Sequence, residues 1–237
     1  MTDTSDRERL LDAYALPDRV TPRVRMNFIM SLDGAVTLEG RSGGLGDASD
    51  RAAMQAIRTL ADVIVVGAGT VRAEGYGGAR VSETDASWRA SRGWPPQPRL
   101  AIVSNRLDLD PRHPVFAEAV TRPIVVTHAR APEAERAALA EVADVWVCGA
   151  SAVDVARVLD ALAREGMRQV LCEGGPRLFG ALLDAGLVDE LCLSLSPTLV
   201  GGEVGRIVRG AREAGRRMRL VHALPAADLL LLRYARA

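Results

Sequence analysis

Aromatic residues are few in this 237-residue chain, three each of Trp, Tyr and Phe, and so are the residues that build disulfides and metal sites, with three Cys and three His. Cys148, Cys172 and Cys192 are odd in number, far apart, and each in or beside an apolar run. That pattern suggests neither a disulfide framework nor a zinc site, and all three read as small core residues. His113 lies in a proline-flanked loop, His128 follows a strand, and His222 is remote from both; neither a metal centre nor a Ser/His/Asp triad finds an anchor. Charge of one sign is also missing, since thirty basic residues balance thirty acidic ones. This argues against a polyanion-binding surface and so against nucleic acid as a partner. No apolar stretch approaches a membrane span, and the opening MTDTSDRERLLDAY lacks the apolar run of a signal peptide, so the expectation is a cytoplasmic protein with no membrane partner.

What is present is core-forming material, 48% hydrophobic residues at a mean hydropathy near zero, in a chain long enough for one large domain. Residues 1–22 are polar, contain Pro17 and Pro22, and read as an arm or short helix outside the main core; residues 23–237 read as a single domain, with no repeat and no low-complexity linker. Val24 to Val36 alternates like a strand running into a turn at Asp33 and Gly34. After a glycine-rich loop, Asp47 precedes a helical pattern carrying Ala53, Met54, Ile57 and Leu60, with Asp50 in its first turn. Val63 to Val66 is a short buried strand. Strands follow at RLAIVSN, RPIVVTHA and DVWVCGA, with helices at Pro132 to Val142 and Val153 to Glu165, the latter apolar on one face. Gly75 to Pro98 is loop-like with a short helix around Ser87 to Arg92. The closing segments VDELCLSLSPTLVGG, RMRLVHAL and ADLLLLRYA read as antiparallel strands. The fold class is therefore α/β, a mostly parallel sheet with antiparallel C-terminal strands and helices on both faces.

Two glycine turns interrupt this alternation. QVLCEGGPRLFGALL, Gln169 to Leu183, is a buried strand that stops at Glu173, two glycines, and a helix opened by Pro176. Glycine lets backbone approach a ligand, and the free N–H groups of a helix start favour an anion such as a pyrophosphate. An ordinary strand-to-helix connection fits the same letters. The second turn, Gly67, Ala68, Gly69 and Thr70 after the Val63 strand, is not a dinucleotide fingerprint, because Arg72 stands where GxGxxG needs glycine.

Four stretches taken in order are more specific: MSLDGAV at 30–36, LADVIVVGAGTV at 60–71, EGGPRLFGALLDAGLVDEL at 173–191 and LSPTLVGG at 195–202. Together they resemble the riboflavin-biosynthesis pyrimidine reductase family, similar in fold to dihydrofolate reductase, over residues 23 to 237. The resemblance implies NADPH-dependent reduction of the ribosyl group of 5-amino-6-ribosylaminouracil 5′-phosphate to ribityl, and a homodimer. Many bacterial members are fused to a zinc deaminase; no HxE or PCxxC precedes the first strand here, which implies a deaminase encoded elsewhere.

Residue by residue, the resemblance implies that Gly174, Gly175, Pro176, Arg177 and Leu178 hold the pyrophosphate, with Gly67, Ala68, Gly69, Thr70 and Val71 on the other side. Ser104, Asn105 and Arg106 then lie near the adenosine ribose, Arg106 meeting a 2′-phosphate or simply facing solvent. Asn27, Ser31, Asp33, Ser42, Arg58 and Glu173 are the substrate contacts, Arg58 as a phosphate partner or a surface residue. No proton donor declares itself by motif; Asp50 and Glu173 are the candidates. In the family a DDP-type acidic segment follows the GxGT turn, whereas here the stretch is RAEGYGGAR, with Glu74 in one acidic position. Asp47 or Asp50 also stands where dihydrofolate reductases place a pterin-binding carboxylate, although helix capping accounts for both. A pteridine or folate reductase, or a non-catalytic NADPH-binding sensor, are the alternatives.

Overall fold

The computed structural model describes residues 4–237. Nine strands form one sheet: β1 (Arg23–Ser31), β2 (Val63–Gly67), β3 (Arg99–Val103), β4 (Ile124–Thr127), β5 (Asp144–Val147), β6 (Gln169–Cys172), β7 (Glu190–Ser196), β8 (Met218–Ala226) and β9 (Leu229–Arg236), in the order β5-β4-β3-β2-β6-β1-β7-β9-β8. The helices are α1 (Thr4–Tyr14), α2 (Ala48–Leu60), α3 (Ala68–Glu74), α4 (Glu83–Ala90), α5 (Pro114–Ala117), α6 (Glu133–Ala140), α7 (Val155–Arg164) and α8 (Pro176–Asp184). Among the described residues no helix is long and apolar enough to cross a membrane.

Strands β2, β4 and β6 are short apolar runs buried along their length, as parallel strands covered on both faces must be. Alternate residues feed two cores. Ile64, Val66 and Ile102 pack with α1, α2, α3 and α6 on one face; Val63, Val65 and Ala101 pack with α7 and α8 on the other. Helices thus cover both faces.

Two placements differ from the sequence reading. Strand β7 runs parallel to β1, and the antiparallel pairings are β7 with β9 and β9 with β8. A helix, α8, separates β6 from β7, and such a crossover returns the chain parallel, which strand composition alone does not reveal. The polar N-terminal segment forms α1, whose Leu10, Leu11 and Tyr14 are buried in the core beside α2. Its polar residues face outward, so average composition hid a buried stripe. Under this helix, buried Glu190 accepts from Arg25 Nε at 2.8 Å and Arg233 Nη2 at 2.7 Å, while Arg233 Nη1 also donates to the carbonyls of Ala13 and Ala15.

Strand β6 lies between β2 and β1, with Cys172 level with Val65 and with Met26. The carboxyl ends of β1, β2, β3 and β6 therefore open side by side where the strand order reverses, the crevice in which open α/β sheets bind ligands.

Candidate active site

The glycine turn after β6 is built against the one after β2. Gly67 N donates to Gly174 O at 2.7 Å, and Glu173 N to Val65 O at 3.0 Å. Gly174 has φ +97°, a left-handed conformation suited to glycine, and a Cβ there would meet the Phe28 ring at 3.0 Å. Gly175 is different: its φ of −81° suits any residue, but a Cβ would stand 2.7 Å from Thr70 Oγ1. The Gly174–Gly175 peptide is cis. Two helix starts converge here, α3 capped by Gly67 and α8 by Gly175, neither with a side-chain cap, so backbone donors of both remain available to a ligand.

Two clefts meet at this junction. The larger, about 740 Å³, runs over Gly67 to Thr70, the Ser104–Arg106 loop and the first turn of α8, with Arg72, Arg106, Arg177 and Arg209 among its lining residues. The second, about 390 Å³, is walled by Asn27, Phe28, Met54, Arg58, Tyr76 and Glu173, with Ser42, Asp50 and Arg51 also lining it. Thr37, Thr70, Glu74, Gly175 and Pro176 border both. A long anionic ligand in the first cleft and a compact one in the second would touch at Thr70 and Gly175.

The second cleft carries a partly buried ionic cluster. Arg58 Nε and Nη2 donate to Glu173 Oε1 and Oε2 at 2.6 and 2.7 Å, Tyr76 Oη bonds Glu173 Oε2, and Arg58 Nη2 reaches Tyr76 Oη at 3.1 Å. Burial pushes the Glu173 carboxyl up, but the charge and hydrogen bonds of Arg58, with that of Tyr76, outweigh it and hold the group below the usual glutamate range. Burial, then the Glu173 charge, pushes the Tyr76 phenol well above its ordinary value. Asp50 stands apart from this cluster: burial raises its carboxyl above the usual range, opposed by a hydrogen bond with Ser194 and reinforced by nearby Asp47. A Cβ on Gly46 would sit 2.5 Å from Asp50 Oδ2, so the glycine leaves room for that carboxylate. Arg51 is exposed at the rim with no ion pair among the described residues.

A model of the RibD C-terminal domain matches residues 22–230. The chain belongs to the RibD C-terminal domain family. It is 31% identical over 188 residues to the 2,5-diamino-6-ribosylamino-4(3H)-pyrimidinone 5′-phosphate reductase of Archaeoglobus fulgidus, covering 76% of this chain and 83% of that one. The protein of the same name from Methanothermobacter thermautotrophicus is 29% identical, covering 78% and 82%. Among solved structures, a pyrimidine reductase-like protein from Corynebacterium diphtheriae superposes with a TM-score of 0.87 at 26% identity, covering 98% of each chain. The sheet, parallel except at its C-terminal strands, is the dihydrofolate-reductase-like arrangement of this family.

The residues that the RibD-family resemblance pointed to divide in three. Gly67, Ala68, Gly69, Thr70, Ser104, Asn105, Arg106, Gly175, Pro176, Arg177 and Leu178 line the first cleft, and Asn27, Ser42, Arg58, Glu173 and Asp50 the second. Gly174 and Val71 lie behind these walls, Val71 fully buried. Ser104 Oγ accepts from Leu107 N, and Asn105 Oδ1 from Val153 N, so both also shape their loops. Ser31 and Asp33 do not line either cleft. Ser31 Oγ donates to Asp33 Oδ1 and accepts from Ala35 N, and the Asp33 carboxylate accepts from Val200 N and Gly201 N. These bonds, Ser31 first, hold the Asp33 carboxyl down at about 2; the pair is a latch between the β1 turn and the segment after β7. Asp47 is the N-cap of α2, accepting from Ser49 N and Asp50 N. Arg58 is bonded through Nε and Nη2 to Glu173 at the wall of the second cleft rather than standing at the surface.

Sequence reasoning missed Tyr76 and Arg209, and with them the cleft residues Phe28, Arg51 and Met54. A lone tyrosine inside GYGG was the available signal for the first; Arg209 arrives from the segment after β7, its N–H bonded to Pro176 O, and no local pattern announces it.

Proposed function

We propose that this protein is an NADPH-dependent reductase that converts the ribosylamino group of a 6-ribosylaminopyrimidine 5′-phosphate to ribitylamino, the activity for which its Archaeoglobus relative is named. The observation that carries the reading is the meeting of the two clefts at Thr70 and Gly175. The first cleft fits a dinucleotide: its volume is in the range of cofactor sites, its floor is glycine backbone at two helix starts, and its rim carries four arginines. A bound nicotinamide would supply a hydride to the sugar carbon of the ring-opened imine. The chain's own residues do the rest. Gly67 and Gly175 admit the pyrophosphate, Arg106 meets the 2′-phosphate that distinguishes NADPH, and Phe28 and Met54 exclude water beside the reacting carbon.

Glu173, held ionised by Arg58, accepts hydrogen bonds from the sugar and does not donate a proton. Asp50, the cleft carboxyl that burial favours in its protonated form, gives the proton to the nitrogen as the carbon accepts hydride. Arg51, exposed at the rim of this cleft and without an ion pair among the described residues, is the cation that meets the substrate phosphate. A pyrimidine phosphate and this cofactor are both confined by their charge, which suits a cytoplasmic enzyme; a homodimer is part of the same reading. Asp50 is also the carboxylate that a pterin ring would use, which keeps dihydrofolate reduction as the second reading.

The test is NADPH oxidation by the purified protein with the diaminopyrimidinone phosphate, the corresponding uracil phosphate and dihydrofolate offered separately, and with NADH as a control. Turnover of either pyrimidine with preference for NADPH is expected. Turnover of dihydrofolate alone would replace the proposal, and cofactor binding with no turnover of any of the three would leave the chain a nucleotide-binding sensor.

A further inference from the structure

In the loop RAEGYGGAR, which follows the second glycine turn, the structure puts the tyrosine on the carboxylate of the second cleft. We propose that Tyr76 is a positioning residue for the reduction, its hydroxyl completing with Arg58 a ring of hydrogen bonds that fixes the Glu173 carboxylate as an aimed acceptor for one donor of the substrate. This deepens the reductase reading and rests on it.

An ionised carboxylate offers about four acceptor positions. Arg58 Nε takes one on Oε1, and Arg58 Nη2 and Tyr76 Oη take two on Oε2. One position on Oε1 remains, and Glu173 lines the cleft, so the geometry leaves room for a single donor such as a sugar hydroxyl or the N–H of the ribosylamine. Because Arg58 Nη2 also reaches Tyr76 Oη, the three groups close on one another and the carboxylate cannot turn without breaking at least two bonds. Bidentate arginine alone defines the plane of a carboxylate; the tyrosine bond removes rocking of the pair within the cleft. The phenol keeps its proton, as burial and the neighbouring carboxylate both demand, so it orients and does not transfer. The other charged groups facing this cluster are Asp50 and Arg51 from α2 and Glu74 from the end of α3, none of them bonded to Glu173.

The experiment is Tyr76→Phe, which keeps the ring and removes the hydroxyl. With the ribosylaminopyrimidine phosphate, kcat/KM should fall about 10- to 100-fold, the equivalent of one hydrogen bond to a charged group. The acidic limb of the pH–rate profile should move to higher pH, because a carboxylate that loses a donor is more readily protonated, while NADPH affinity stays unchanged. In parallel, carbon-13 NMR of the Glu173 carboxyl in the ligand-free protein should show its titration displaced to higher pH in the folded variant. That second readout does not depend on turnover, so an inactive wild-type protein would defeat the reductase reading while still deciding what Tyr76 does to Glu173. An unmoved Glu173 titration, or unchanged kcat/KM with an unmoved acidic limb, would overturn the assignment.

Discussion

Replacing Gly175 by alanine tests the junction of the two clefts most directly. The backbone at this position accepts alanine without strain, with φ −81° and ψ −170°, so any effect must come from space. The new methyl would stand 2.7 Å from Thr70 Oγ1, where ordinary contact begins at 3.4 Å, and something must move by about 0.7 Å. Thr70 lies in the first turn of α3, next to the Gly67 N–H that bonds Gly174 O. The hydroxyl therefore yields only by rotating into the cleft or by pushing the two helix starts apart. Overpacking of this kind costs about 1–3 kcal/mol, which for a chain of this size lowers the melting temperature by about 2–12 °C. Since the displaced groups are those that would hold the pyrophosphate, NADPH affinity should fall about 10-fold or more, about 1.4 kcal/mol or greater. Adding Thr70→Ala removes the obstacle, and the double variant should regain much of the lost stability, a coupling of about 0.5–3 kcal/mol. Thermal melts and cofactor titrations of the four proteins measure this cycle. Wild-type affinity and melting in Gly175→Ala would refute the reasoning about the cradle, and strict additivity with Thr70→Ala would show that the hydroxyl is not what the methyl meets.

Three further substitutions separate the roles assigned to the second cleft. Arg58→Met leaves buried Glu173 without its cation and should cost about 3–5 kcal/mol; because the folded-state pKa of Glu173 is lowered, the stability it contributes is present above the unfolded value, about 4.3, and lost as pH falls through the folded value, so denaturant melts of variant and wild type should converge on acidification. Asp50→Asn should reduce kcat about 10²–10⁴-fold with unchanged cofactor affinity; since burial raises the Asp50 pKa, wild-type activity should decline as pH rises through it, and a variant that keeps this basic limb would exonerate Asp50. Arg51→Ala should raise KM for the phosphorylated substrate and leave the phosphate-free nucleoside unaffected, equal losses on both being the contrary result.

Much of the architecture was legible because burial on both faces leaves a simple mark. VIVV, IVVT and QVLC could hardly be anything but inner parallel strands, and Asp47 announced α2 through its capping chemistry. Helix α3 was not legible, since AGTVRAE offers only seven residues and almost no apolar face; its start at Gly67 is tied to Gly174, a contact no local pattern specifies. The clefts were found through the two glycine turns, where glycine serves by its left-handed backbone at Gly174 and by the space it leaves at Gly175. The pairing of Arg58 with Glu173 spans 115 positions, and nothing local to either residue specifies it. Ser31 and Asp33 show the converse case, a conspicuous SLDG motif whose polar atoms serve a turn and a contact 167 residues away. Type of residue and spacing reported that something was fixed there, but not to what.

The insertion of β6 between β2 and β1 also orders events during synthesis. When β5 has been made, β2 to β5 can pair as a parallel half-sheet, yet β2 still presents an open edge and β1 has neither of its neighbours. At about 5–20 residues per second, the hundred or so residues between β2 and β6 take about 5–20 s to emerge, and for that interval two apolar strands expose unpaired backbone to any passing chain. The segment that ends this exposure is the one that carries Glu173 and the two glycines. The joining of β1 to β2 and the meeting of the two glycine turns thus arrive in a single event.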